Sequence, residues 1–314
     1  MFSFTQLSQW TPHSKAITCV KLNSDSSIAA TSSADASIAI SSLSSLSTPT
    51  VKARLTASDL SVEDSSLYGI NSIDFSPHNN RYLVSGGDDG LVRLWDVEEQ
   101  RCICTMPGHQ SWILSTTFSP TGTLILSCST DESLRLWDAR SGKAVRVLRG
   151  HASVISCGTF SQDGTLIASG AGDGLIRVWD VLSGTCLQAC MYEACPSVGS
   201  VQFSRNKAYV LGSFLDNNIR LVDIKKNSVE RTYSGHVNSN YLVSSRFFTF
   251  KNVDDCVLSG SEDGQFFLWN SKTGNLIHRQ QIFNSNLCSF DVSERSNLIV
   301  SGSLDEGVCK LCSW

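Results

Sequence analysis

Histidine, serine, aspartate and tryptophan recur together three times in this chain, and three of these residue types can form a nucleophilic triad. The sets are His109, Ser127, Asp131 and Trp137; His151, Ser169, Asp173 and Trp179; and His236, Ser259, Asp263 and Trp269. A serine hydrolase needs one exposed serine beside an oxyanion site. Three copies, each with an indole N–H able to donate to the serine oxygen, instead predict buried Trp–Ser–His–Asp relays. We therefore interpret these sets as structural tetrads and predict no catalytic residue.

The tetrads belong to a repeat of about 42 residues. Segments 85–96, 127–138 and 169–180 nearly superimpose, each ending in Trp-Asp. One aspartate per unit follows a spacing of 54, 42, 42, 43, 47 and 42 residues along Asp35, Asp89, Asp131, Asp173, Asp216, Asp263 and Asp305. This period is typical of the WD40 repeat, in which each unit forms a four-stranded blade. The sequence predicts an all-β fold, a single seven-bladed WD40 β-propeller over residues 1–314.

Local patterns fit short antiparallel strands. Residues 91–95 alternate apolar and polar side chains, and Asp-Gly pairs supply tight turns. Blades protect one another's edges only when they close into a ring. The seventh unit stops at Trp314, shortly after its third strand, while residues 2–7 alternate like a strand. We predict that this N-terminal strand completes blade seven.

Some units depart from the repeat. Ser41 stands at the tryptophan position of unit one, and Gly212 and Val222 stand at the serine and tryptophan positions of unit five. The long first spacing places extra residues in the Ser/Thr-rich segment 42–66. We predict a surface loop inserted between blades one and two, which serves either as a plain connection or as a modified or partner-binding insert.

Composition excludes several function classes. The net charge is −4 and the pI is about 5.9, which disfavours direct nucleic-acid binding, and no apolar run is long enough for a membrane span. Most of the 12 cysteines lie in apolar strand-like runs, among them Cys19, Cys128, Cys157 and Cys288, and predict buried thiols in a reducing compartment. Cys309 and Cys312 have the spacing of half a zinc site, but no second pair follows. No metal or cofactor is predicted.

Across all seven units the chain resembles the WD-repeat core subunit of histone lysine-4 methyltransferase complexes of the COMPASS or mixed-lineage-leukaemia type. The resemblance rests on residues 32–35 in unit one, 215–217 in unit five, 235–241 and 259–263 in unit six, and on Trp269-Asn270. It implies a non-catalytic nuclear scaffold that binds peptide segments of a SET-domain methyltransferase and of a sibling propeller subunit, with a histone tail as an alternative ligand.

The resemblance implies one site at the mouth of the central channel, where relatives hold an arginine side chain. Such a pocket needs two aromatic faces around the guanidinium, each worth about 0.5–2 kcal/mol. The matching ring positions carry Leu114 and Ser244, and the matching rim positions carry Thr18, Ala34, Asn71, Asp88, Ser156, Gly199 and Leu242. Trp112, Tyr241 and Phe248 are candidates for a missing face. We expect weak or no binding of arginine peptides.

The second implied site is a cleft between blades five and six, which in relatives binds a short acidic and hydrophobic segment of a sibling propeller. Asn206, Tyr209, Leu221 and Phe247 match that pattern, whereas Thr249 and Lys272 depart from it. The lysine would favour an acidic peptide. Leu221 and Phe247 also occupy positions that are apolar in nearly every repeat. Only Asn206 and Tyr209 therefore distinguish a peptide-binding cleft from an ordinary groove between blades.

Two alternatives remain open. Residues 137–140, Trp-Asp-Ala-Arg, match the Trp-Asp-x-Arg box of substrate receptors of cullin–RING ubiquitin ligases, in which Arg140 would pair with acidic groups on the adaptor. An arginine after Trp-Asp is also common as a plain exposed charge. A generic WD40 scaffold would leave no distinguishing residues at all.

Overall fold

The fold is taken from a computed structural model that describes residues 3–56, 68–190, 195–250, 253–305 and 307–314, apart from the side chains of residues 248–250, 253–255 and 288. Within these residues the strands form seven antiparallel sheets of four strands each. Each sheet is one blade, and consecutive strands pair from the inside outward because short turns join them. The described residues contain no helix that is long and apolar enough to cross a membrane.

Blades one to four follow one another along the chain. Blade one comprises β2 (Ile17–Leu22), β3 (Ile28–Ser33), β4 (Ser37–Ser42) and β5 (Thr50–Thr56). Blade two comprises β6 (Ile70–Phe75), β7 (Tyr82–Gly87), β8 (Val92–Asp96) and β9 (Arg101–Met106). Blade three comprises β10 (Ile113–Phe118), β11 (Leu124–Ser129), β12 (Ser133–Asp138) and β13 (Ala144–Arg149). Blade four comprises β14 (Ile155–Phe160), β15 (Leu166–Ala171), β16 (Ile176–Asp180) and β17 (Cys186–Cys190).

The remaining strands complete the ring. Blade five comprises β18 (Val198–Phe203), β19 (Tyr209–Phe214), β20 (Asn218–Asp223) and β21 (Ser228–Ser234). Blade six comprises β22 (Ser245–Phe250), β23 (Val253–Ser259), β24 (Gln265–Asn270) and β25 (Leu276–Gln281). Blade seven comprises β26 (Leu287–Ser293), β27 (Leu298–Ser303), β28 (Cys309–Ser313) and the N-terminal β1 (Thr5–Trp10).

The N-terminal strand closes the ring, which confirms the prediction from the alternation of residues 2–7, although the strand begins and ends later. In the β1–β28 ladder Thr5 lies opposite Ser313 and Trp10 lies opposite Cys309. Phe4, just before the strand, is buried with its ring centroid 5.6 Å from that of Phe266 in blade six. Phe4 is therefore part of the core.

The predicted loop over residues 42–66 is wrong for its central part. Thr50–Thr56 forms β5, the outer strand of blade one, and pairs with β4. The reason lies in the alternation within this segment, which buries Ala53 and Leu55 while their neighbours stay exposed. The connection from β4 to β5 is the exposed, serine-rich turn 43–49, and residues 57–66 of the predicted insertion lie outside the described residues.

Hydrophobic clusters between neighbouring blades form the core. The indole of Trp137 in blade three packs with Val84, Val92 and Leu94 of blade two, and Trp179 of blade four packs with Leu134 and Leu148 of blade three. The tryptophans of blades three and four thus each supply an aromatic anchor to the groove of the preceding blade. Since no blade buries both faces alone, the clusters make the ring a single cooperative unit.

The inner strands surround a central channel of about 420 Å³. Side chains on one inner strand accept backbone N–H groups of the next: Ser72 accepts from Thr116 at 3.0 Å, and Ser289 accepts from Val20 at 3.0 Å. These bonds satisfy backbone donors that face the channel. The channel is therefore lined by polar groups already engaged in joining the blades.

Candidate binding sites

Blades three and four each contain the predicted polar relay. In blade three Trp137 Nε1 lies 2.8 Å from Ser127 Oγ, that oxygen lies 2.7 Å from His109 Nε2, and His109 Nδ1 lies 2.8 Å from Asp131. In blade four the corresponding distances are 2.8, 2.8 and 3.0 Å along Trp179, Ser169, His151 and Asp173. Ser127 and Ser169 are 0% exposed, so their hydroxyls face no solvent-filled pocket. These serines act as structural links between strands.

The pKa values of the relay residues indicate which group donates each hydrogen bond at neutral pH. Burial lowers the pKa of His109 and His151, although the neighbouring carboxylates raise it in part. Burial alone would raise the pKa of Asp131, but bonds from Ser133, the Gln110 N–H and His109 outweigh it and bring the pKa to about 2. At neutral pH a neutral imidazole therefore donates from Nδ1 to the carboxylate and accepts the serine proton at Nε2.

The prediction of a third tetrad in blade six is wrong. Ser259 Oγ donates to the carbonyl of Gly260 at 2.9 Å, and the Trp269 indole donates to the carbonyl of Ser234 at 3.2 Å. Among the described residues, neither ring nitrogen of the buried His236 has a hydrogen-bond partner. Burial lowers the pKa of His236 to about 4.

Two features keep His236 out of the tetrad arrangement: aromatic packing around its ring and a longer chain segment between the histidine and the serine. Phe267 stacks on Trp269 at 5.6 Å, and the His236 ring meets the Trp269 ring edge-on at 5.5 Å. The chain between histidine and serine is also longer in this unit than between His109 and Ser127. That difference in spacing is a sequence signal that distinguishes this unit from blades three and four.

Blade one holds a relay that the sequence showed only in part. His13 Nε2 lies 2.9 Å from Thr31 Oγ1, and its Nδ1 lies 3.1 Å from Asp35. Ser41, at the tryptophan position, accepts the indole N–H of Trp10 at 3.1 Å. Trp10 lies on β1 of blade seven, which neighbours blade one in the ring, so no pattern within unit one linked it to Ser41.

The four residues predicted for the side cleft lie together. Asn206, in the turn before β19, joins Tyr209 on β19, Leu221 on β20 and Phe247 on β22 in lining a cleft of about 470 Å³ between blades five and six. Asn206 Oδ1 accepts the Ala208 N–H at 3.0 Å, which fixes the side chain, while its amide nitrogen makes no hydrogen bond to the described residues. The cleft therefore offers an apolar wall and a free amide donor.

Charged side chains surround this cleft. Three are cations, Arg205, Arg231 and Lys272, and two are anions, Glu230 and Glu294. Both carboxylates already have cationic partners: Glu294 lies 2.8 Å from Arg205, and Glu230 lies 2.7 Å from Lys226. Arg231 makes no ion pair within the part of the chain that the structure describes. The cleft is consequently cationic at its rim, and Lys272, a departure from the family pattern, adds to that charge.

The sequence did not identify most of these charged residues. Glu294 comes from the β26–β27 turn of blade seven, while Arg205 comes from the β18–β19 turn of blade five. Glu230 and Arg231 lie on the outer strand β21. Such a juxtaposition depends on how blades turn relative to one another, and no motif within one repeat could have revealed it.

Most residues predicted for the channel mouth do line the channel. They are Thr18, Asn71, Leu114, Ser156, Gly199, Leu242 and Ser244. Asp88 and Ala34 stand beside this lining: Asp88 accepts the Asn71 amide at 2.8 Å, and a Cβ on Gly69 would lie 3.2 Å from both Ala34 and Asp88. The Asp88 carboxylate is thus already used to hold the mouth together.

Aromatic faces at the mouth are few. Tyr241 lines the channel and is 43% exposed, whereas Trp112 is 56% exposed and lies outside the lining formed by the described residues. The side chain of Phe248 lies outside the described ones. Leu114 and Ser244 cannot provide a π face, so within the described residues a pair of rings facing each other is not formed.

Comparisons with known proteins agree with this architecture. The family model described as the WDR5 beta-propeller domain matches residues 9–313. A WD repeat domain-containing protein 83 homolog from Dictyostelium discoideum is 27% identical over 124 residues, 39% of this chain and 36% of the relative. Protein HIRA from the same organism is 28% identical over 138 residues, 40% and 12% of the two chains, and Polycomb protein esc from Drosophila melanogaster is 35% identical over 65 residues, 20% and 15%. The chain thus spans only about a tenth to a third of the length of these relatives.

Proposed function

Because this chain belongs to the WDR5 beta-propeller family of WD-repeat proteins, we propose that it is a non-catalytic scaffold subunit of a COMPASS-like histone lysine-4 methyltransferase complex. Its partners would be a SET-domain subunit and a sibling propeller subunit, and its location would be nuclear. The observation that carries this proposal is the meeting of Asn206, Tyr209, Leu221 and Phe247 in one cleft. These are the positions at which the resemblance implies peptide binding.

The chemistry of the cleft suits a short segment that is both acidic and hydrophobic. Leu221 and Phe247 provide apolar surface, and burial of a leucine-sized side chain against them is worth about 1.5–3 kcal/mol. Arg231 and Lys272 at the rim would attract carboxylates and accelerate association more than they strengthen the final complex. The free amide of Asn206 can donate to a backbone carbonyl of the bound segment.

The test is affinity purification of the tagged protein followed by mass spectrometry. The wild type should retain SET-domain and sibling propeller subunits, and the Asn206→Ala/Tyr209→Ala variant should lose at least the sibling propeller. A matched Asn284→Ala/Tyr68→Ala variant changes the same residue types at exposed positions away from the cleft and should behave as the wild type. Unchanged assembly of the cleft variant would contradict the cleft assignment.

The ubiquitin-ligase alternative has its own signature in the same experiment. Arg140 is exposed in the turn between β12 and β13 and makes no ion pair among the described residues. Recovery of a cullin adaptor without methyltransferase subunits, lost on Arg140→Ala, would replace the methyltransferase proposal. Recovery of neither class would leave only the coarser conclusion of a WD40 scaffold.

At the channel mouth we propose that arginine peptides bind weakly. Leu114 and Ser244 remove the two aromatic faces that the pocket of relatives uses, and Asp88 is bonded to Asn71 and to the Gly69 N–H. The aromatic side chains among the described residues of the lining are the exposed Tyr241 and the buried Phe290. One such face supplies about 0.5–2 kcal/mol, which falls short of sub-micromolar affinity on its own.

A further inference from the structure

The last two strands of blade three, together with the turn between them, are strongly cationic. Residues 133–149 carry five cationic side chains and one carboxylate, in a chain whose net charge is −4. Four of the cations lie at the periphery of the blade: Arg140, Lys143, Arg146 and Arg149. The carboxylate, Asp138, accepts the Ser141 N–H at 2.7 Å and lies in the turn.

Two of these cations act on a nearby carboxylate, since Arg140 helps to lower the pKa of Asp138 and Arg146 helps to lower that of Asp180. Within the described residues, none of the four makes an ion pair, whereas cations on other outer strands do. Arg101 of β9 lies 2.6 Å from Glu99, and Arg54 of β5 lies 3.9 Å from Asp35. The edge of blade three therefore presents more positive than negative charge.

The same strand presents a free edge and apolar surface. β13 is the last strand of its sheet and pairs only with β12 among the described residues. Val145 is 53% exposed and Val147 is also exposed. Edge strands often carry charged side chains, lysine above all, that discourage pairing with another strand. Lysine and arginine on this edge would not repel a strand that carries acidic side chains.

The two faces of β13 are lined differently. Val147 and Arg149 lie on one face, opposite Arg135 and Ser133 in the β12–β13 ladder. Arg146 and Leu148 lie on the other, where a Cβ on Gly184 of blade four would lie 3.1 Å from each. Arg146 also donates to the carbonyl of Leu182, which places that 83% exposed leucine beside the edge. Each face thus combines an apolar group with a cation.

We propose that the edge of β13 is a docking surface for an extended acidic segment of a partner protein, which pairs with β13 as a fifth strand of blade three. Main-chain hydrogen bonds would supply affinity, and alternate side chains would meet the two faces. Carboxylates on the segment would pair with Arg149 and Lys143, while its apolar side chains would cover Val147 and Leu182. This surface lies on a different blade from the side cleft and does not depend on it.

A protein segment fits this surface better than a nucleic acid. Nucleic-acid grooves combine cations with aromatic side chains that stack on bases, and the exposed apolar residues here are aliphatic. Aliphatic side chains and a free strand edge are the features of strand addition. The charge complementarity is therefore with aspartate and glutamate side chains on an extended chain.

The test uses a labelled ten-residue peptide of alternating glutamate and valine, with binding followed by fluorescence anisotropy at low salt. The Lys143→Glu/Arg149→Glu variant should weaken binding at least tenfold. Arg279→Glu/Arg295→Glu, a double charge reversal at exposed positions of blades six and seven, should change it less than twofold. Hydrogen exchange of the β13 amides should slow when the peptide is bound.

Several results would overturn the proposal. They are no binding of the glutamate–valine peptide, equal weakening in both charge-reversal variants, or tighter binding of a ten-nucleotide single strand than of the peptide. The Asn206→Ala/Tyr209→Ala variant should bind the peptide as the wild type does. Loss of binding in that variant would move the peptide to the side cleft and would contradict docking at β13.

Discussion

Replacement of Ser127 by alanine tests the relay that ties blade three together. The serine oxygen accepts the indole N–H of Trp137 at 2.8 Å and lies 2.7 Å from His109 Nε2. Alanine fits the same space but leaves both groups buried without a partner. Each unpaired buried group costs about 1–3 kcal/mol, so the loss of both partners should lower the free energy of unfolding by about 2–6 kcal/mol.

The assay is urea unfolding at pH 7 followed by tryptophan fluorescence, with Ser259→Ala as the matched control. Ser259 Oγ donates only to backbone carbonyls, at 2.9 and 3.3 Å. Its removal therefore leaves no histidine or indole nitrogen without a hydrogen-bond partner. That variant should lose about 1 kcal/mol. The reasoning is refuted if both variants lose the same stability, or if Ser127→Ala loses less than Ser259→Ala.

Three further predictions follow from the ring and its ionisable groups. Deletion of residues 1–10 should lower Tm sharply, because β28 loses its pairing with β1 and blade six loses Phe4; an unchanged transition would contradict the closure. Acidification from pH 6.5 to 4 should destabilise the protein, because the unfolded chain binds a proton at histidine near pH 6.5 while burial holds the pKa of His236 at about 4. Between pH 6.5 and 4 the free energy of unfolding, measured by urea titration, should fall less in His236→Phe than in the wild type. Equal losses in the two proteins would contradict a role of His236 in this pH dependence. Calorimetric titration with an arginine-containing histone-tail peptide should show no sub-micromolar binding, and Ser244→Phe is the variant expected to strengthen it.

The fold could be predicted from the sequence because a repeat multiplies a weak local signal. A single unit such as residues 127–138 is ambiguous, but seven turn aspartates at near-constant spacing leave few architectures. The strand β5 was missed because its alternation is short and stands among serines and threonines. Its burial of Ala53 and Leu55 became visible only when β4 offered a partner.

The relays show which hydrogen bonds can be predicted from the residue spacing within one repeat and which cannot. His109 and His151 stand at the same distance from their serines in the sequence, and the bonds in blades three and four follow that spacing. His236 has the same residue types around it, yet Phe267 and the longer loop turn it away from Asp263. Residue types predict which bonds are possible, whereas packing decides which of them form.

By itself the sequence determined the period, the number of blades and the closing strand, whereas the residues of the side cleft came from the resemblance to a family. Periodic patterns specify the first three features because each depends on hydrogen bonds and burial between strands close in the chain. Only the tertiary structure decided the isolation of His236, the meeting of Arg205 with Glu294, and the lack of ion pairs among the cations along β13. Those depend on how blades distant in sequence are rotated and packed around the axis, and on which charges that packing leaves without a partner.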